Sequence, residues 1–452
     1  MAEPRKLGLF ALTALVIGSI IGAGAFNLPK DMASGAHAGA IIIGWIITGI
    51  GMLALALCFV EINRARPDIE GGLFNYARNA LGDFVGSLTG WGHWLSAWLG
   101  NASYLVLIFA TLNYFVPIFG EGNNLASVLG SSVFLWLVVM LVLRGVSQAA
   151  MINTVVTIAK IVPLFVFLAI ALFAFKLSTF SLDFWGTGDF SWSAVGDQVS
   201  SVMLVTMWVF IGIEGAVTVS QRAEKHEDVG KATVIGLICT LLLYVLISLL
   251  SLGVMTAPEL AALPTPSMGH VLEHIVGRWG ATFINIGLLI SVIGAFLGWM
   301  ILCAEIPMVA AREGIFPRIF GLQNDAGSPK GSLLITAACI QGFLILLLFS
   351  EGTYRSILEM SSTASILPYL FAAVFQLKLF KGDSGSTKLR LLGLVALAYT
   401  LWLCFAAGFS NWLSVSLLYL PAVLIYWRAC HDNQQQAHFG LQTMPAAPRA
   451  RC

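Results

Sequence analysis

Charge is scarce in this chain. Asp, Glu, Lys and Arg make up only 10% of its 452 residues, against about 25% in soluble proteins. That scarcity excludes a water-exposed globular surface. The net charge of +1 excludes a bulk polyanion, so no nucleic acid partner is expected. The seven cysteines (58, 239, 303, 339, 404, 430 and 452) include no Cys-x-x-Cys pair and no Cys/His cluster. This argues against a disulfide framework or a zinc site, and the thiols read as small apolar fillers. Gly22-Ala23-Gly24 completes no Gly-x-Gly-x-x-Gly and follows no strand, so no dinucleotide is expected and no cofactor of any kind. His270-Val-Leu-Glu273-His274 matches a metalloprotease pattern, but no third ligand accompanies it. A loop helix is the preferred reading, and the protein is not read as an enzyme.

Hydrophobic residues, by contrast, reach 58%, with a mean hydropathy of +0.87. Twelve apolar spans are long enough to cross ~30 Å of hydrocarbon. They lie at 8–34, 38–62, 84–114, 125–144, 149–175, 197–221, 230–256, 280–313, 331–350, 354–378, 389–408 and 411–430. The fold class is therefore an all-α polytopic membrane protein with 12 transmembrane helices. Residues 1–7 form a short leading segment. Arg5 and Lys6 before an apolar run, with Ala23-Gly24-Ala25 beyond, resemble a secretory signal, but the run reads better as the first of many spans. The polar stretch 431–452, with three consecutive glutamines, is expected to be disordered. Of the 24 Lys and Arg residues, 19 fall on one set of loops. The opposite face has only Lys30, Lys176, Arg278 and Arg355, and Lys160 lies inside a span. This split places both termini in the cytoplasm.

Two spans carry backbone anomalies. Residues 18–26 read Gly-Ser-Ile-Ile-Gly-Ala-Gly-Ala-Phe, and three glycines in seven residues cannot hold a regular helix well. Span 6 carries Phe210-Ile211-Gly212-Ile213-Glu214-Gly215. Broken helices five spans apart suggest two halves, 8–175 and 197–380, of opposite topology, with 389–430 as an appendage. The Gly22–Gly24 break suits a substrate carboxylate through its unpaired amides. Close helix packing through small residues explains the same glycines equally well. Glu214 is an ionisable group inside a membrane helix, placed to meet a cation or carry a proton, or to make a structural hydrogen bond. Lys160 needs a carboxylate, carbonyl oxygens or deprotonation. Trp208, Trp299, Trp94 and Trp98 lie within spans, where an indole face attracts a cation or simply fills volume.

Three stretches resemble the amino acid–polyamine–organocation transporters. These are Gly22–Phe26, Pro67-Asp-Ile-Glu-Gly-Gly72 and Arg312-Glu-Gly-Ile-Phe-Pro317. Trp94–Asn101, Trp208–Gly215, Asp228–Thr233 and Leu367-Pro-Tyr369 are similar to the basic amino acid/polyamine antiporters, and among these to the bacterial arginine/ornithine type. The resemblance implies a five-plus-five inverted repeat in the cell inner membrane, often dimeric, with the substrate held between helices 1, 3, 6, 8 and 10. It implies that Ala23 and Gly24, beside Ile20, meet the α-carboxylate, that the carbonyls near Ile211 meet the α-amino group, and that Trp208 stacks on the cationic end. Ser96, Ala97, Asn101 and Tyr104 would line the side-chain pocket with Trp299 and Ser361. Glu214 matches a residue linked to gating and protonation, and Tyr369 a gate tyrosine. The arginine/agmatine exchangers carry Tyr where this chain has His93, Cys at Ala97 and Met at Tyr104, and lack Lys160. Lys160 resembles a helix-5 lysine of proton-coupled relatives. The implied function is electroneutral exchange of L-arginine inward for L-ornithine outward. Lysine/cadaverine exchange, arginine/agmatine exchange and proton-coupled uptake are the alternatives.

Overall fold

The computed structural model describes residues 8–69, 72–145, 150–187, 190–214, 223–325, 327–350, 352–381 and 387–439, and every long element among them is helical. The first span is cut in two. Helix α1 (Leu9–Ile20) stops where Gly22 turns extended, a 3-10 turn covers Ala23–Phe26, and α2 (Leu28–Ala33) resumes with Pro29 in its first turn. Proline is tolerated there because a first-turn N–H has no helical acceptor. Then come α3 (Ala38–Ala65), the short amphipathic α4 (Leu73–Leu81), α5 (Asp83–Asn113), α6 (Leu125–Leu143), α7 (Ala150–Ala174) and the one-turn α8 (Leu177–Ser181).

Span 6 begins as α9 (Trp192–Trp208) and ends early. Turns carry the chain from Val209 to Glu214, and Gly212 takes φ +105°. A β-carbon on Gly212 would also lie 2.8 Å from the Ser19 carbonyl oxygen, so conformation and space both require glycine. The expected remainder of this span, 215–221, lies outside the described residues. Next come α10 (His226–Val254), the short α11 (Ala257–Ala261) and α12 (Ser267–Val276) between spans, then α13 (Arg278–Arg312), α14 (Lys330–Leu347), α15 (Tyr354–Leu379), α16 (Thr387–Ala406) and α17 (Gly408–Phe439). Nine of the described helices are long and apolar enough to cross a membrane, and Leu9–Ile20 and Ile158–Ala174 are shorter apolar helices.

One expectation needs correction. The 431–452 stretch is not disordered from its start, because α17 runs on to Phe439. Nothing between Arg428 and Phe439 is Gly or Pro, and Gln, Ala and His extend a helix at little cost, whereas Gly440 follows at once. Residues 440–452 lie outside the described residues.

The bundle has a centre and a rim. Of the most apolar window of α5, 94% is buried, against 22% for α17. Helix α5 packs between α13 and α15, and its interior face carries the aromatic residues that meet the broken helices.

Candidate substrate site

The two breaks face each other. The Ser19 hydroxyl reaches the Gly212 carbonyl at 3.1 Å, besides its own helix at Val16. The carbonyl end of α1, left without intrahelical donors, is covered from other helices. Lys160 of α7 donates its Nζ to the Gly18 carbonyl at 3.1 Å, and the Tyr244 hydroxyl of α10 donates to the Ile20 carbonyl at 3.1 Å. A cation and an O–H donor at a helix C-terminus meet its negative dipole end. Of the three options for Lys160, a carboxylate, carbonyl oxygens or deprotonation, the structure sets a carbonyl, that of Gly18, within reach of its Nζ.

Against this junction lies a cavity of ≈ 440 Å³, its open mouth included. Ile20, Gly24, Ser96, Ala97, Tyr104, Trp208, Ile211 and Trp299, the residues the resemblance named, line it. Gly24 lies over the indole of Trp208, where a β-carbon would come within 2.9 Å of Nε1. The Tyr104 ring meets that indole edge-on at 6.3 Å.

Three expected residues do not line the cavity. Ala23 is fully buried behind the break. Asn101 is fully buried as well, and its Nδ2 donates to the Cys303 sulfur at 3.2 Å. Ser361 donates to the Ser96 carbonyl at 2.7 Å, so α15 supports the wall contributed by α5 without forming it. Conversely, Tyr244 lines the cavity, so the seventh span takes part where the resemblance implied the tenth. Trp94 and Trp98 pack elsewhere. The Trp94 indole donates to Thr336 at 2.9 Å, and Trp98 meets Phe343 edge-on.

Glu214, His93 and Tyr369 form a separate cluster. Tyr369 donates its hydroxyl to Glu214 Oε2 at 3.1 Å, and His93 Nε2 lies 3.7 Å from Glu214 Oε1. These three come from the end of the second break, α5 and α15. They are not among the cavity residues, and Lys160 stands apart from them at the first break.

A family profile for amino acid permeases matches residues 7–430. The arginine/ornithine antiporter of Pseudomonas aeruginosa is 47% identical over 453 residues, covering 97% of this chain and 94% of that protein. The chain belongs to the amino acid permease family. A putative arginine/ornithine antiporter of Escherichia coli is 42% identical over 457 residues, covering 98% of both. An arginine/agmatine antiporter of Chlamydia felis is 41% identical over 433 residues, covering 93% of this chain and 88% of that protein. The protein is thus a multi-pass membrane transporter of the amino acid–polyamine–organocation superfamily and not an enzyme.

Elsewhere in this permease the charged groups pair among themselves. Arg78 bridges Asp83 and Glu313, joining the start of α5 to the end of α13. Arg66 pairs with Asp68 in the following loop, and Arg64 with Glu61. Arg222 lies outside the described residues. At the His270–His274 pattern, His270 Nδ1 lies 3.6 Å from Glu273, and Tyr114 meets its ring edge-on. Burial holds the His270 imidazole below its ordinary range. No group of three metal-ligating side chains occurs among the described residues.

Proposed function

We propose that this permease exchanges basic amino acids by alternating access, taking up L-arginine and releasing L-ornithine one for one. In this reading the protein sits in the cell inner membrane, in lipid and as a homodimer, with both termini in the cytoplasm and two halves of inverted topology. The amides at Gly22–Gly24 receive the α-carboxylate. The carbonyls near Ile211 receive the α-amino group, Trp208 stacks on the guanidinium or ammonium end, and Ser96 and Tyr104 border it. Arginine and ornithine share the carboxylate, the amino group and a side-chain charge of one, so a single site serves both and a swap moves no net charge. Glu214, His93 and Tyr369 act as a gate on the cytoplasmic side, with Lys160 as the fixed cation of the first break.

The observation that carries this reading is a cavity lined by main chain of a cut helix, at Gly22 and Gly24, and by the indoles of Trp208 and Trp299. Only a substrate with an acidic and a cationic end uses both walls. An arginine/agmatine cycle is the second reading, favoured by the relatives of that name. It differs by one group, because agmatine has no carboxylate. Competition against labelled arginine separates the two. Ornithine is expected to compete strongly, and agmatine, putrescine and cadaverine weakly. Agmatine competing as well as ornithine would overturn the arginine/ornithine assignment.

A further inference from the structure

Asp31 lies on α2, the second half of the broken first span, and is 1% exposed. Its Oδ1 accepts from Asn27 Nδ2 at 2.8 Å. The Asn27 amide is held in that orientation because its own Oδ1 accepts from the Ser267 N–H at 3.0 Å. Asp31 Oδ2 has no hydrogen-bond partner.

The charged groups that face this carboxyl are Arg355 and Glu359 of α15 and Lys30 of α2 itself. None of them bonds to it. Arg355 Nε donates to Glu359 at 2.8 Å, Nη1 to the main-chain carbonyl of Asp31 at 2.8 Å, and Nη2 to the carbonyl of Ser201 on α9 at 3.1 Å. Lys30 Nζ donates to Thr265 at 3.3 Å. Arg355 is thereby balanced by Glu359, and three of its N–H groups bond to Glu359, to the Asp31 main chain on α2 and to Ser201 on α9. Tyr354, also facing Asp31, has a buried hydroxyl that lies by the Trp208 indole. From α12, His270 is paired with Glu273; from the adjacent loop, Glu121 accepts from the Thr265 N–H; and from α11, Glu259 is bonded to Thr256.

A carboxylate with one bare oxygen is poorly accommodated in a dry, buried place. A proton on Oδ2 removes the charge and leaves an acid whose other oxygen keeps its bond from Asn27. We propose that Asp31 is a proton-binding site, occupied while this side of the molecule is closed and emptied to the adjacent water when it opens. Proton uptake is the reaction of the carboxylate with a hydron from that water, and release is its reverse. Arg355 links α2, α9 and α15 around the same carboxyl, so parting those helices to reach the cavity wets Asp31. Because the proton then prefers the closed form, acid on this side holds the protein closed. Under the orientation proposed above, this is the external side.

The proposal rests on the exchange reading only for its readout. Arginine uptake into ornithine-loaded proteoliposomes is measured at fixed internal pH while external pH is varied over about 5–8. The wild-type rate is expected to fall severalfold toward the acid end. In Asp31→Asn, which matches the neutral acid in shape, the rate is expected to be flat with external pH, at the acid-limb value of the wild type. Asn27→Ala removes the donor that favours the ionised form, and its acid limb is expected to move to higher pH. A flat wild-type profile overturns the proposal, as does an Asp31→Asn protein that keeps the wild-type profile. Asp31→Asn raising KM for external arginine with its pH profile intact also overturns it, and makes the residue a way-station for substrate. Should Asp31→Asn fail to fold, an unshifted Asn27→Ala profile overturns the proposal. Absence of exchange at every pH condemns the exchange reading instead.

Discussion

At the scale of single residues, the site turns on Trp208. Its indole is framed by Gly24 near Nε1 and by Tyr104 at its edge, so the ring has one orientation to offer. A desolvated cation over an indole gains ~2 kcal/mol or more. Trp208→Leu is therefore expected to weaken arginine binding by about 1–2 kcal/mol, read by calorimetric titration in detergent; unchanged affinity would remove the ring from the cation's path. The break at Gly22–Gly24 was legible in the sequence because a glycine cluster is improbable inside a helix, whereas Trp208 stood out only through the resemblance. Tyr244 was not legible. Its role depends on a bond to the carbonyl of Ile20, which is 224 positions away in the chain. A phenol in the apolar run Leu241–Leu250 signals only that some partner must exist. Asn101, which the resemblance placed in the pocket, lies off the cavity lining, with its Nδ2 turned to a buried thiol.

The decisive element is the first span, whose two pieces are held apart by groups from other helices. A severed helix leaves carbonyls that cost free energy in a dry interior. Lys160 and Tyr244 satisfy two of them. Lys160→Met keeps the length of the side chain and deletes the donor. It is expected to cost roughly 1.5–3 kcal/mol, the usual value of a bond to a charged group, seen as a lower melting temperature in detergent together with slowed transport. An unchanged melting temperature would show that the Gly18 carbonyl needs no such partner. Apart from span 6, part of which lies outside the described residues, the helices run within a few residues of the spans read from hydropathy, except at the end of the last. The end of α17 departs further, because its polar residues form helix and run unbroken to Phe439, just before Gly440.

At the scale of the whole molecule, two groups of charged and polar side chains lie outside the cavity lining. In one, Arg355 fastens α2 to α9 and α15. In the other, Tyr369 and His93 converge on Glu214 at the end of the second break. Under the exchange reading proposed above, a substrate in the cavity is reached from either solution by parting one such group, as alternating access requires. The same arrangement predicts that substrate must occupy the cavity for each return, so flux in one direction depends on substrate waiting on the other side. Counterflow in proteoliposomes measures this directly. Labelled arginine is expected to enter vesicles loaded with ornithine and to stay out of empty ones. Equal uptake into empty vesicles, with or without a proton gradient, would contradict obligatory exchange.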